Sequence, residues 1–143
     1  MNDTGAATLL GDGASYATTN FGTAAQLQVK QGSAVKRGDD EWFAIVKWVP
    51  NALIEAEEYG VTQANVDQLK ASSQDPVVKR ILGTGEDMGK LVGLDKDWMA
   101  RAIKATGNYG EIFERNVGPK SALGLPRGIN NQWNKGGLMY ALP

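Results

Sequence analysis

The longest amphipathic pattern in the chain runs from Asp39 to Gly60. Carboxylates at its start suit the free N–H groups and the dipole of a helix N-terminus, and Gly60 can adopt the left-handed conformation that ends a helix. Its apolar residues recur at spacings of three and four, which places them on one helix face: Trp42, Ile45, Val46, Val49, Leu53 and Ala56. This pattern predicts a helix over about residues 39–59.

Pro50 lies in the interior of that predicted helix. A proline there removes one backbone hydrogen bond and clashes with the carbonyl four residues back, at a cost of ~3 kcal/mol. Because the apolar stripe continues in phase on both sides of Pro50, we expect a kinked helix near residues 45–50 rather than a broken one.

Beyond Gly60 the pattern changes to short amphipathic segments with recognisable ends. Asp75 followed by Pro76 is typical of a helix cap and its first helical position. Further caps are predicted at Thr62, at Asp95 or Asp97, and at Asn108. The predicted helices cover about residues 63–70, 76–82, 88–92, 98–106, 108–117 and 129–133.

Residues 1 to about 33 differ from the rest, because they are rich in small and polar side chains and carry little charge. The turn signal Gly11–Gly13 lies between two short segments, and residues 26–30 alternate polar and apolar, which together predict a small β element. A flexible arm is the alternative, since such residues bury little apolar surface. The predicted fold class is α+β and mainly helical, with an N-terminal arm or β hairpin over 1–33 and a helical region over 34–143.

Composition excludes several classes of protein. The chain of 143 residues fits one domain. Its formal net charge is −1, and no large cluster of basic residues indicates nucleic-acid binding. No apolar run is long enough to span a membrane. It contains no cysteine and no histidine, so disulfides, thiolate metal sites and the commonest general base are all missing. We therefore expect no enzyme, with no catalytic residues, no metal ligands and no cofactor. The N-terminus lacks the pattern of a signal peptide.

One glycine-rich segment and one acidic cluster offer candidate chemistry. Gly83–Lys90 fails the phosphate-loop pattern, since five residues separate Gly83 from Gly89 and Leu91 follows Lys90, so we interpret it as a connector between helices. The acidic run 39–41 lacks the alternating ligands of a calcium loop and is better explained by helix capping, as are Asp95 and Asp97.

The aromatic and arginine side chains offer further candidates. Four tryptophans and three tyrosines could form a ligand cage, but their places on amphipathic faces favour core packing for most of them: Trp42, Trp48, Trp98, Trp133, Tyr59, Tyr109 and Tyr140. Five arginines could each clamp a carboxylate, and since no spacing singles one out, we expect solvated surface arginines: Arg37, Arg80, Arg101, Arg115 and Arg127.

Long runs of the chain from about Ala34 onward match a known family pattern. These runs are Arg37–Phe43, Ile45–Trp48, Asn51–Ile54, Ala56–Glu58, Gly60–Val66, Leu82–Gly83, Met88–Gly89, Leu94–Asp95, Asn108–Asn116, Leu123–Leu125, Arg127–Gly128 and Gly136–Tyr140. In them the chain resembles the C-terminal part of periplasmic general L-amino-acid-binding proteins, the solute-binding proteins of polar amino-acid ABC importers. Pro50 departs from the residue expected in that helix.

The resemblance implies a partial amino-acid-binding domain that resembles part of one lobe of a type II periplasmic binding protein. Its implied partners are an L-amino acid and an ABC permease, and its implied location is periplasmic or extracellular. The chain is less than half the usual length of such proteins, and the clamp for the ligand lies mainly in regions that it does not match, so its ligand-binding residues stay unknown.

The same resemblance leaves the apolar helix faces without the sheet that covers them in the family. We therefore expect a homo-oligomer or domain-swapped assembly. The alternative function is a structural or self-assembling protein that reuses this lobe as a scaffold.

Overall fold

The computed structural model describes residues 35–142, and five α-helices form the framework of this range. They are α1 (Asp40–Glu58), α2 (Val66–Ser72), α3 (Pro76–Ile81), α4 (Trp98–Thr106) and α5 (Tyr109–Asn116), with 3₁₀ turns at Gly89–Val92, Gly128–Asn130 and Trp133–Lys135. Within residues 35–142 the only β pairing is an isolated parallel bridge between Gln132 and Met139. The mainly helical prediction is confirmed for this range, while the predicted β element of residues 1–33 lies outside the described residues.

Helix α1 forms where the sequence predicts it and is continuous across Pro50. The side chain of Asp39 accepts a hydrogen bond from the Trp42 N–H at 2.9 Å, and Gly60 follows the helix in the left-handed conformation with φ of 66°. One residue after the proline, the Asn51 side-chain amide donates to the carbonyl of Lys47 at 2.8 Å. The helix is thus unbroken at Pro50, as predicted, although Pro50 provides no N–H.

The core is built around the second half of α1. Its buried members come from α1, α2, α3, α4 and the connections between them: Ala56, Val61, Val66, Val78, Ile81, Leu82, Ala100 and Ile103. The buried residues of α1 itself are Ala52, Ile54 and Ala56, whereas Trp42 and Phe43 at its start are 52% and 54% exposed. The predicted apolar stripe is therefore buried only near its end, because the residues before Ala52 reach no closed core.

Two of the predicted caps have the expected hydrogen bonds. The Asp75 carboxylate accepts from the N–H groups of Val77 and Val78 at 2.8 and 3.1 Å. Asn108 and Glu111 form a reciprocal capping box, in which each side chain accepts from the other residue's N–H at 3.0 and 2.9 Å. Both pairs are local in sequence, which is why the pattern alone predicts them.

The start of α2 and the capping of α4 differ from the prediction, although α4 begins at Trp98 as predicted. Thr62 and Asn65 bond to each other's backbone N–H at 3.2 and 2.7 Å, and this turn delays the start of α2 to Val66. Of the two predicted caps, Asp95 and Asp97, the structure has Asp97 at the N-cap position of α4, but the Asp97 side chain makes no capping hydrogen bond. Their carboxylates pair instead with Arg101, at 2.6 and 3.3 Å.

The helix predicted over residues 129–133 is replaced by two separate 3₁₀ turns. Asn131 and Gln132 between them are extended, with ψ of 162° and 149°. The Trp133 N–H donates to the Met139 carbonyl at 2.9 Å, and the Met139 N–H donates to the Asn131 carbonyl at 3.0 Å. A five-residue segment recovers too few helical hydrogen bonds to offset the cost of nucleation, so these loop contacts decide its conformation.

Candidate functional site

An apolar groove of about 320 Å³ lies between α1, the 3₁₀ turn Gly89–Val92, the start of α4 and the end of the chain. We call it the apolar groove, and its main walls are Trp48, Ala52, Leu91, Val92, Trp98 and Leu142. A volume of this order is at the lower end of those that hold small ligands. The groove therefore offers a concave, mostly apolar surface beside the main helix.

Among the described residues that line the apolar groove, the only charged side chains are those of Glu55 and Arg80, which form an ion pair. The Glu55 side chain is 13% exposed and that of Arg80 is 35% exposed. Burial raises the pKa of the Glu55 carboxyl, although the nearby positive charge of Arg80 acts in the opposite direction. Arg80, expected from the sequence to be a solvated surface arginine, is thus partly withdrawn from water.

The indole of Trp98 closes the inner wall of the apolar groove. Trp98 is buried, and its Nε1–H has no hydrogen-bond partner among the described residues. Because this nitrogen is itself closed to solvent, it does not present a donor to the open part of the groove. This part of the groove wall is therefore apolar.

A second cleft of about 590 Å³ is lined mostly by polar and charged residues and includes both members of the Arg127–Glu57 ion pair. Arg127 donates from Nη1 and Nη2 to the two carboxylate oxygens of Glu57 at 3.0 and 3.1 Å, and both side chains are less than 15% exposed. The guanidinium also lies 5.3 Å from the ring centre of Tyr109 and 5.1 Å from that of Phe113. Burial in this cluster raises the pKa of the Tyr109 hydroxyl.

Arg127 is therefore not the solvated surface arginine that the sequence analysis expects. Besides Glu57 it binds the carbonyl of Asn130 through Nε and Nη2, at 3.2 and 2.9 Å. Its donors face two acceptors already present in the fold, so it could bind a ligand carboxylate only by giving up Glu57. The sequence does not reveal this ion pair, because Glu57 lies 70 positions away from Arg127. The only hint in the sequence is that an arginine can bind a carboxylate through two N–H groups.

The candidate segments of the sequence analysis serve local structure. Residues 83–90 connect α3 to a 3₁₀ turn, and the Lys90 side chain is 82% exposed, with its Nζ 4.0 Å from a carboxylate oxygen of Asp87. Within residues 35–142, no cluster of three acidic side chains has the arrangement that would hold a metal ion. In the same range, no helix combines the length and apolarity needed to cross a bilayer.

The aromatic residues divide between the core and the surface. Trp98 is buried, and Trp48 and Tyr109 are half-buried, but four others are exposed: Trp42, Trp133, Tyr59 and Tyr140. Core packing is thus wrong for those four. Periodicity identifies the apolar face of a helix, but it does not say whether another element covers that face.

The fold of these helices resembles part of a periplasmic binding protein. A solved ABC transporter periplasmic binding protein from Brucella ovis, which has glutathione bound, matches with 54% identity and a TM-score of 0.71 over 76% of this chain and 34% of that chain. The resemblance of part of this chain to such a protein is thereby confirmed at the level of the fold.

Curated relatives give the same result from sequence. The chain is 54% identical over 112 residues to the glutamate/glutamine/aspartate/asparagine-binding protein BztA of Rhodobacter capsulatus. It is 56% identical over 114 residues to the general L-amino acid-binding periplasmic protein AapJ of Rhizobium johnstonii. It is also 50% identical to the putative amino-acid ABC transporter-binding protein YhdW of Escherichia coli.

Each match takes in 78% of this chain but only 33% of the relative, so the chain spans about a third of the length of these proteins. No protein-family model matches the chain. The matched region is homologous to part of the amino-acid-binding proteins of ABC transporters, as the sequence resemblance predicts.

Proposed function

We propose that the chain acts as part of an amino-acid-binding protein of an ABC importer, without enzymatic activity. The observation that carries this proposal is the identity of 50–56% to amino-acid-binding proteins over 112–114 residues, in a region whose fold also matches at a TM-score of 0.71. In this role the described helices form part of one ligand-binding lobe. The chain's site of action is then the periplasm, and its partner is an ABC permease.

The ligand that fits this proposal is an L-amino acid. Two of the relatives are named for glutamate, glutamine, aspartate and asparagine and for general L-amino acids. Arg127 is held by Glu57 and Arg80 by Glu55, so neither of these arginines is free to clamp the carboxylate of an amino acid. Binding therefore requires the parts of such a protein that this chain does not match.

Fragment complementation followed by calorimetry tests the proposal. The chain is titrated with L-glutamate and L-glutamine, first alone and then after mixing with the two thirds of BztA that it does not match. We expect a one-to-one complex on light scattering and saturable heat only in the mixture, with D-glutamate as the control. Failure of the two folded pieces to associate, or saturable binding by the BztA piece alone, would contradict the proposal.

A self-assembling scaffold is the second candidate, and one observation favours it. Trp42 and Phe43, two consecutive residues at the start of α1, are both more than half exposed. Neighbouring exposed aromatic side chains favour association between protein molecules. None of the relatives is described as such a scaffold. Light scattering on the chain alone separates the two functions, since a large uniform assembly that takes up no BztA piece supports the scaffold.

A further inference from the structure

The C-terminal residues are attached to α1 at two points of unequal strength. The first is the Arg127–Glu57 pair, which is bidentate, nearly closed to solvent and stacked against two aromatic rings. The second is one hydrogen bond of 3.1 Å from the Ala141 N–H to Oε1 of Glu58, the next residue of α1. Beyond it, Leu142 lies against the apolar groove and is still 38% exposed.

The loop between these two points holds its own shape. Its hydrogen bonds close internally, from the Leu138 N–H to the Ile129 carbonyl at 2.9 Å and from the Gly137 N–H to the Gln132 carbonyl at 2.9 Å. The 3₁₀ turns and the Gln132–Met139 bridge lie in the same loop. Releasing Ala141 and Leu142 would therefore break none of these bonds.

We propose that Ala141 and Leu142 form a latch over one side of the apolar groove. The latch opens by loss of the Ala141–Glu58 hydrogen bond, while the Arg127–Glu57 pair and residues 128–139 stay in place. A single hydrogen bond and a partly exposed leucine are weaker than a buried bidentate pair, so the second attachment opens first. Opening removes Leu142 from the groove, whose wall also includes Trp48 and Trp98.

Two measurements on the full chain test the latch. The first is hydrogen exchange of the Ala141 amide by NMR. In Glu58→Ala it should accelerate on the order of tenfold, as expected for the loss of one hydrogen bond to a carboxylate. The second is acrylamide quenching of tryptophan fluorescence in a Trp42→Phe/Trp133→Phe background, where both remaining tryptophans line the groove. Quenching should increase in Glu58→Ala and in Leu142→Ala.

Matched variants separate the latch from other effects. Glu58→Gln removes the charge but keeps a side-chain carbonyl as acceptor, so it should stay close to the original protein in both measurements. Glu86→Ala removes a carboxylate from an exposed turn and should change neither. The latch is wrong if Glu58→Ala leaves Ala141 exchange and quenching unchanged. It is equally wrong if amide hydrogen exchange at the core residues Ile81 and Ile103 accelerates as much as at Ala141. Release of residues 141–142 would then unfold the core as well.

Discussion

Arg127 and Glu57 lie 70 positions apart in the chain and form a bidentate ion pair that joins the C-terminal loop to the last turn of α1. A Cβ atom added at Gly110 would lie 2.8 Å from the Glu57 carboxylate and 3.0 Å from the Arg127 guanidinium. The pair therefore depends on a glycine in the first turn of α5, and it connects three parts of the fold.

Breaking this pair on one side should be costly. Glu57→Gln leaves the Arg127 guanidinium without its counter-charge in a nearly closed site, and we expect the free energy of unfolding to fall by about 3 kcal/mol. Urea unfolding followed by circular dichroism measures the change. Asp67→Asn is the control, because its pair with Lys104 is exposed on both sides and should contribute almost nothing. Equal effects of the two substitutions would contradict the structural role of Arg127.

Glu55 should make the free energy of unfolding fall as pH rises above the ordinary pKa of a glutamate carboxyl. Burial raises its pKa above 4.5 in the folded chain, so between the unfolded and folded pKa values the folded state binds more protons than the unfolded state. The contribution of protonated Glu55 is complete below the unfolded pKa and is lost as pH rises through the folded pKa.

Urea unfolding of the original chain and of Glu55→Gln, at intervals from about pH 4 to 7, isolates this contribution from the other carboxylates. We expect the stability of the original chain relative to Glu55→Gln to decrease across the lower part of that range. A difference that stays flat, or that increases with pH, would show that Arg80 rather than burial controls the pKa of Glu55.

Gly83 should tolerate alanine much less well than Gly93. Both adopt left-handed conformations, with φ of 70° and 68°, so both substitutions lose about 1 kcal/mol from backbone strain. A Cβ at Gly83 would also lie 2.6 Å from the carbonyl oxygen of Lys96, whereas nothing lies within 4 Å of one at Gly93. We expect Gly83→Ala to cost roughly 1–3 kcal/mol more than Gly93→Ala in thermal or urea unfolding.

Replacing Pro50 should stabilise the chain. Pro50 is exposed in the middle of α1, and an alanine there would restore a backbone N–H for the Val46 carbonyl. We expect Pro50→Ala to raise the free energy of unfolding by about 1–3 kcal/mol. A loss of stability in urea unfolding would instead mean that the surroundings of α1 are adapted to the geometry imposed by proline.

Local hydrogen bonds explain which elements were predictable. Asp39, Asp75 and Asn108 cap N–H groups two or three residues away, and Gly60 follows α1 in the expected left-handed conformation, because such geometry involves only a few consecutive residues. Asp97 shows the limit of this reasoning. Its capping signal is as good as that of Asp75, but Lys70, 27 positions earlier, binds its carboxylate at 3.2 Å.

The sequence by itself determined the helical character of residues 35–142, most of the helix ends and the family resemblance that the relatives confirm. The arm or β hairpin over residues 1–33 stays a prediction. Only the tertiary structure decided that Trp42 is exposed while Trp98 is buried, and that Arg127 is occupied by Glu57. The physical reason is range: capping and periodicity act within a few residues, whereas burial and ion pairing depend on which distant segments the fold brings together.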